Sequence, residues 1–191
     1  MTPEAETEKP APEPLRLVQE FVNTADLEEG KDELHSPEAL AAWLRRHALV
    51  GAGTTISATE HRRAIDVREG LRAVLAGHNG GEPDREAVER LERAAARAEL
   101  RACFPAEGAP ELVPSCEGAA GALARLLVIV TTAAANGTWS RLKACADEGC
   151  RWAFYDHSKN RSGRWCTMAV CGNQQKARSY RARRRAPGPA S

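Results

Sequence analysis

Four of the six cysteines in the 191 residues form a paired pattern. Cys145-Ala-Asp-Glu-Gly-Cys150 is followed after fifteen residues by Cys166-Thr-Met-Ala-Val-Cys171. A deprotonated cysteine is a soft anionic ligand, and a C-x4-C spacing lets two thiolates on one tight turn reach the same ion. Two such pairs close a four-sulfur shell. Zinc is the expected ion, bound at about 2.3 Å per sulfur with no position left for water, so the expected role is structural rather than catalytic. From Cys145 to Cys171 there are 27 residues, too few to fold on apolar burial, whereas structural zinc supplies roughly 10–16 kcal/mol of apparent folding free energy. The competing readings are four buried thiols, two labile disulfides or an iron–sulfur cluster. A reducing compartment argues against the disulfides, and the spacing departs from the common ferredoxin runs. His157, unpaired and seven positions beyond Cys150, is expected at the surface or beside the ligands rather than among them. Cys103 and Cys116 have no neighbouring ligand and read as small, semi-buried side chains.

Between the pairs, Trp152, Phe154 and Tyr155 suggest a short strand, and Asp156-His-Ser-Lys-Asn160 a turn. Trp165, beside a ligand cysteine, is expected to cover the site. Base stacking is a less economical role than packing for Trp165 and Phe154, and both roles stay open for Trp152 and Tyr155. The cations Lys159, Arg161 and Arg164 belong to this stretch. Lys176, Arg178, Arg181, Arg183, Arg184 and Arg185 follow in a run from Gly172 that contains no acid and is expected to be helical. Residues 139–185 hold 12 Lys/Arg and 3 Asp/Glu, so the overall charge of +1 averages a basic segment of +9 and a remainder of −8. Such asymmetry points to a body carrying a basic appendage for a polyanion. Arg exceeds Lys by 22 to 5, which favours bidentate phosphate contacts.

The segment that must carry this module has helical spacing. Leu15, Val18, Phe21 and Val22 line a first helix ending near Asn23. Ser36-Pro37 is a start signal for a second, with Leu40, Trp43, Leu44 and Ala48 as its stripe. Ser57-Ala-Thr-Glu60 has capping-box spacing and opens a helix over about 58–76. Asp84 caps another over 85–98, with Val88, Leu91 and Ala95 inward. A hairpin is expected from Leu100–Phe104 and Glu111–Pro114, then a core helix over about 117–136 stopped by Asn136-Gly137. This last run is interrupted by Arg125 and is short of the ~20 strongly apolar residues of a membrane span. Met1–Pro14, with four Pro and four Glu, lacks the pattern of a secretory signal and is expected to be a disordered acidic tail. The fold class expected is mainly α: a helical domain over 15–138 with a short hairpin, a small α+β zinc module over 139–185, and disordered ends over 1–14 and 186–191.

Cys145-x4-Cys150, Phe154-x-Asp156-x-Ser158-x-Asn160, Arg164-Trp165-Cys166, Met168, and Cys171-Gly172-Asn173 followed by Lys176 resemble the CGNR zinc finger. The arginine of that motif's name is Gln174 here, which removes one charge-assisted bond. Upstream, Phe21-Val22-Asn23-Thr24, the Leu40-x2-Trp43-Leu44 helix and the hairpin-then-helix order resemble the ABATE domain. The resemblance implies a stress-induced transcriptional regulator of bacteria, particularly actinobacteria, with one zinc on Cys145, Cys150, Cys166 and Cys171 and DNA as the finger's partner.

The functions in contention are therefore a DNA-binding regulator, an RNA-binding protein, and a zinc-built protein-interaction module, all placed in the cytoplasm. A homodimer is the default for such a regulator, and a small-molecule ligand of the helical domain is left open. Catalysis is not expected: H-E-x-x-H, G-x-S-x-G and P-loop motifs are missing, and Gly51-Ala-Gly53 lacks the third glycine of a dinucleotide fingerprint. His35, His47, His61 and His78 are scattered at helix ends and surfaces.

Overall fold

A computed structural model describes residues 9–82 and 84–173 of the chain. Residues 1–8 and 174–191 lie outside the described residues, and with them the cations Lys176, Arg178, Arg181, Arg183, Arg184 and Arg185. Five helices make the body. They are α1 (Leu15–Val22), α2 (Pro37–Arg46), α3 (Ala58–His78), α4 (Arg85–Ala95) and α5 (Gly118–Ala135). Two-residue strands β1 (Ala25–Asp26) and β2 (Lys31–Asp32) join α1 to α2, and β3 (Leu100–Cys103) and β4 (Glu111–Pro114) form the expected hairpin before α5. The zinc module contributes β5 (Leu142–Ala144) and β6 (Ala153–Tyr155), paired antiparallel.

Helix starts follow local chemistry. Ser36 accepts from the Ala39 N–H with Pro37 at the first helical position. The Ser57–Glu60 capping box is complete in both directions, and Asp84 accepts from the Ala87 N–H. Each such cap contributes about 1 kcal/mol. Leu15, Val18, Phe21 and Val22 of α1 meet Leu40, Trp43 and Leu44 of α2 and Leu71 and Leu75 of α3 in one core, where the Phe21 and Trp43 rings lie 5.4 Å apart. By length and composition α5 could cross a membrane, yet Ala119, Ala122, Leu123, Leu126 and Ile129 are buried in this same core.

Three expectations are corrected. Ala48 is exposed, because α2 stops at Arg46 and Ala48 turns the chain with φ +53°. The buried residues of α4 are Ala87 and Ala94, with Leu91 partly buried, rather than the Val88–Leu91–Ala95 stripe. The cause is Gly70 on α3: a Cβ there would lie 2.3 Å from Leu91 Cβ and 2.8 Å from the Ala87 carbonyl, so close approach at a glycine rotates α4 onto its small residues. Residues 9–14 are not a loose tail, since Ala11 is buried and its N–H donates to Gln19 Oε1 at 2.6 Å. Beyond these corrections, Arg68 and Arg72 of α3 are buried, which the spacing of the sequence does not announce. Arg68 grips the Asp32 carboxylate with two nitrogens at 2.6 and 2.8 Å, and Arg72 donates to the carbonyls of Val22 and Ala25 at 2.6 and 3.3 Å. Burial of Asp32 works against its ionisation, but the Arg68 guanidinium outweighs it and holds the carboxyl below its ordinary range. The β1–β2 hairpin is thereby fastened to α3 by charge.

Candidate metal centre and its basic loop

No linker separates the helical body from the zinc module. The Thr138 N–H closes onto the Ala133 carbonyl at 2.9 Å, and a single turn over Trp139–Arg141 leads directly into β5. The β5–β6 register pairs Leu142 with Tyr155, Lys143 with Phe154 and Ala144 with Ala153. Alternation then divides the hairpin: Leu142, Ala144, Ala153 and Tyr155 complete the helical core, while Phe154 packs with the four cysteines on the other side. Side chains of the body also occupy backbone groups of the module. Asn23 exchanges two bonds with Ala153, Gln19 donates to the same carbonyl at 3.1 Å, and Asn79 donates to the carbonyls of Ala144 and Arg164, both at 2.8 Å. The Ala144 and Arg164 carbonyls thus find partners on the helices, and the finger has a fixed seat.

Cys145 leaves β5 with its N–H on the Trp152 carbonyl at 2.9 Å. Asp147 makes the turn of the first pair, its side chain accepting from the Gly149 N–H and its carbonyl from Cys150 and Arg151. In the second pair Cys166 precedes, and Cys171 lies on, a helical turn over Met168–Gly172. Thr167 caps it, accepting from the Val170 N–H at 3.2 Å, and the Gly172 N–H reaches the Thr167 carbonyl at 3.2 Å. Trp165 and Trp152, both half-buried, pack against the cysteines. At Gly172 a Cβ would stand 2.7 Å from the Met168 sulfur and 3.3 Å from the Trp165 ring, so a larger residue would displace the exposed end of Met168.

All four sulfurs are buried and lie within 4.8 Å of one another. Cys150 and Cys166 are 3.7 Å apart, and Cys166 and Cys171 3.6 Å. Sulfurs bonded at about 2.3 Å to the centre of a tetrahedron lie about 3.8 Å apart, so the spacing is that of a zinc-sized shell. The electrostatics agree. Hydrogen bonds from Cys150 and Cys166 hold Cys145 as a thiolate, and that charge pushes Cys150, up to about 12, and Cys166 far above the ordinary thiol value. Four thiolates can coexist here only around a cation. The cluster fits one structural zinc ion, with no open coordination position. His157 takes no part: it is exposed, and its Nε2 meets the Pro10 carbonyl at 2.9 Å.

A second polar centre was not legible as such in the sequence. Lys143 and Asp156 form an ion pair of 2.7 Å, and both are almost wholly buried. Lys143 also donates to the carbonyls of Arg161 and Gly163 at 2.5 and 3.1 Å, while Asp156 accepts from the Ser158 and Gly163 N–H groups at 3.0 and 2.8 Å. Burial opposes the charge on Asp156, but Lys143 and these N–H donors prevail and keep its carboxyl far below the usual range. Lys143 counts as a basic residue in the sequence, yet its charge is spent inside. Arg141 is similarly committed, to the carbonyls of Asp156 and Ser158, both at 3.0 Å.

What this centre does is shape the loop 156–165. Lys159, Arg161 and Arg164 on that loop are exposed, and among the described residues none is paired with a carboxylate. Arg161 takes φ +52° and its Nη1 touches Ser140 Oγ at 3.3 Å. Tyr155, by contrast, is buried against the helical core, so stacking of a base on it is excluded by geometry. The N-terminal segment contributes as well. Lys9 accepts from the Tyr155 N–H at 2.9 Å, donates Nζ to the Trp165 carbonyl at 2.8 Å, and holds Nζ 5.0 Å above the Phe154 ring.

Comparison with protein families agrees with this division. Residues 15–138 match the ABATE family, described as "Putative stress-induced transcription regulator", and residues 141–184 match the CGNR zinc finger. No curated relative matches the chain.

Proposed function

Because the chain belongs to the ABATE family and carries a CGNR zinc finger, we propose that it is a DNA-binding transcriptional regulator whose finger supplies the phosphate contacts. The observation that supports this reading is the loop 156–165, which a buried ion pair and a four-cysteine centre hold rigid while Lys159, Arg161 and Arg164 face solvent. Cations on a preordered loop meet phosphates without the cost of ordering the backbone, leaving only their own side chains to be fixed. Lys176, Arg178, Arg181, Arg183, Arg184 and Arg185 extend the same charge along the chain. These cations position the protein on a duplex, and base readout needs side chains at groove edges. The body acts as the frame on which the finger is mounted, in a cytoplasmic setting, and no catalytic step is assigned to either part.

Selection of genomic fragments by zinc-loaded protein tests the reading, with enrichment of one sequence motif as the expected result. If roughly four to six phosphates are neutralised, the log–log salt slope of binding is about −4 to −5. Salt-independent binding, or preference for single-stranded RNA over duplex DNA, would move the protein to another class. Retention of a protein partner in the presence of excess nucleic acid would instead favour an interaction module.

A further inference from the structure

The seam between the helical body and the finger holds a cavity of about 370 Å³. Asn23, which pairs with Ala153, lines it at the end of α1, Trp43 and His47 line it from α2 and its end, and Trp152 lines it from the finger. That volume lies at the small end of the range for ligand pockets and suits a molecule of one or two rings. Trp43 supplies the observation that points to a ligand. The residue is only 2% exposed, with its rings packed on Phe21 at 5.4 Å and on His47 at 4.1 Å. Its indole N–H, the one polar group of the side chain, has no hydrogen-bond partner among the described residues, yet the nitrogen is not sealed in the core. Because Trp43 forms part of the cavity wall, this donor opens into the cavity. A buried indole N–H ordinarily finds an acceptor, and here the acceptor has to come from an occupant.

Charge narrows the class of that occupant. Arg16 pairs with Glu20 at 2.8 Å and Arg46 with Glu33 at 3.0 Å, and all four line the cavity. Two cations thus stand against two carboxylates, so a ligand with net charge meets no opposite surplus. We propose that the cavity binds a small, flat, uncharged molecule, with an acceptor atom on the Trp43 N–H and its ring against Trp152. Trp152 also packs on the four cysteines. Such a ligand touches the body and the finger at once and lies one side chain away from the metal centre. Among the described residues the lining includes none from the loop 156–165, so the site stands whatever that loop binds.

The test uses the zinc-loaded, isotope-labelled full chain, whose four tryptophans give four indole N–H resonances, assigned by replacing one Trp at a time with Phe. The probes are benzamide, which is flat, uncharged and carries a carbonyl acceptor, and benzoate, which has the same shape and a negative charge. Benzamide is expected to shift the Trp43 and Trp152 signals together along one saturating curve, with half-effect at roughly 1–10 mM, the range open to so small a ligand. Trp139, which packs on His78, should not move. Benzoate should need about tenfold more for the same shift. A Trp43 signal unmoved at about 20 mM benzamide, or a shift confined to Trp139 or Trp165, overturns the site. Equal titration by benzoate overturns the uncharged class and with it the proposal as stated.

Discussion

Asn23 and Ala153 are bonded as two strands would be: the Asn23 amide nitrogen donates to the Ala153 carbonyl at 2.9 Å, and the Ala153 N–H donates to Asn23 Oδ1 at 2.7 Å. One side chain at the end of α1 thus substitutes for a neighbouring strand on β6 and joins the helical body to the hairpin that leads into the zinc centre. Ala153 is fully buried, so no water replaces that partner.

Asn23→Ala is expected to destabilise the chain by about 1–3 kcal/mol, because a buried N–H loses its acceptor while Gln19 still serves the carbonyl. Asn23→Asp should cost at least as much, since a carboxylate facing the Ala153 carbonyl repels it. Urea unfolding of both variants checks this; a destabilisation below about 0.5 kcal/mol would show that the pairing is incidental.

Lys143→Ala removes the counter-charge of a buried carboxylate and is expected to cost about 3–5 kcal/mol, whereas Lys143→Ala combined with Asp156→Asn should cost less than the sum of the two. The pH dependence has a definite sign. The Asp156 carboxyl is depressed in the folded state, so its contribution is complete above the unfolded value of about 3.9 and falls away as pH drops toward the folded one. The stability difference between the parent and Asp156→Asn should be flat above about pH 5 and shrink below about pH 4. A difference that grows on acidification would contradict the assignment.

Chelation is expected to release about one zinc per chain, and Cys166→Ser to abolish tight zinc retention. Trp152 and Trp165 pack on the cysteines, while Trp43 is buried between α1 and α2. Metal release should therefore shift the emission of the first two and leave most helical circular dichroism intact. Collapse of the helical signal in step with zinc release would show that the body depends on the finger for its own stability.

Gly70→Ala should destabilise by about 1–3 kcal/mol, although the same change at an exposed helix position usually gains about 0.5–1 kcal/mol. The new methyl would stand 2.3 Å from Leu91 Cβ. Gly163→Ala is expected to behave likewise, for its Cβ would meet the Asp156 carboxylate at 2.7 Å. Thermal unfolding of the two variants measures both effects.

Replacing Lys159, Arg161 or Arg164 singly by Ala should weaken duplex binding and lower the magnitude of the salt slope by about 0.9 for each phosphate that is no longer neutralised. Lys143 and Arg141, though equally basic in the sequence, should act through stability instead.

Local chemistry was legible from the residues alone. The starts of α2, α3 and α4 follow from Ser36-Pro37, Ser57 to Glu60 and Asp84, because a cap satisfies donors within one turn of itself. The four zinc ligands follow from spacing, because each pair closes on a few residues of chain. Charge was the least legible property. Arg68, Arg72, Lys143 and Asp156 are polar letters whose burial depends on partners 13 to 79 positions away, and periodicity carries no trace of such partners. The face of α4 was misread for the same reason, since the deciding residue, Gly70, lies on another helix.

The sequence by itself determined that this chain has a helical body and a four-cysteine zinc module with a surplus of positive charge. Only the tertiary structure decided that the module is seated on the body, that the N-terminal segment is fastened across it, and which cations face water. The physical reason is that ligands, caps and turns are made by neighbours in the chain. Desolvation and charge pairing are made by neighbours in space.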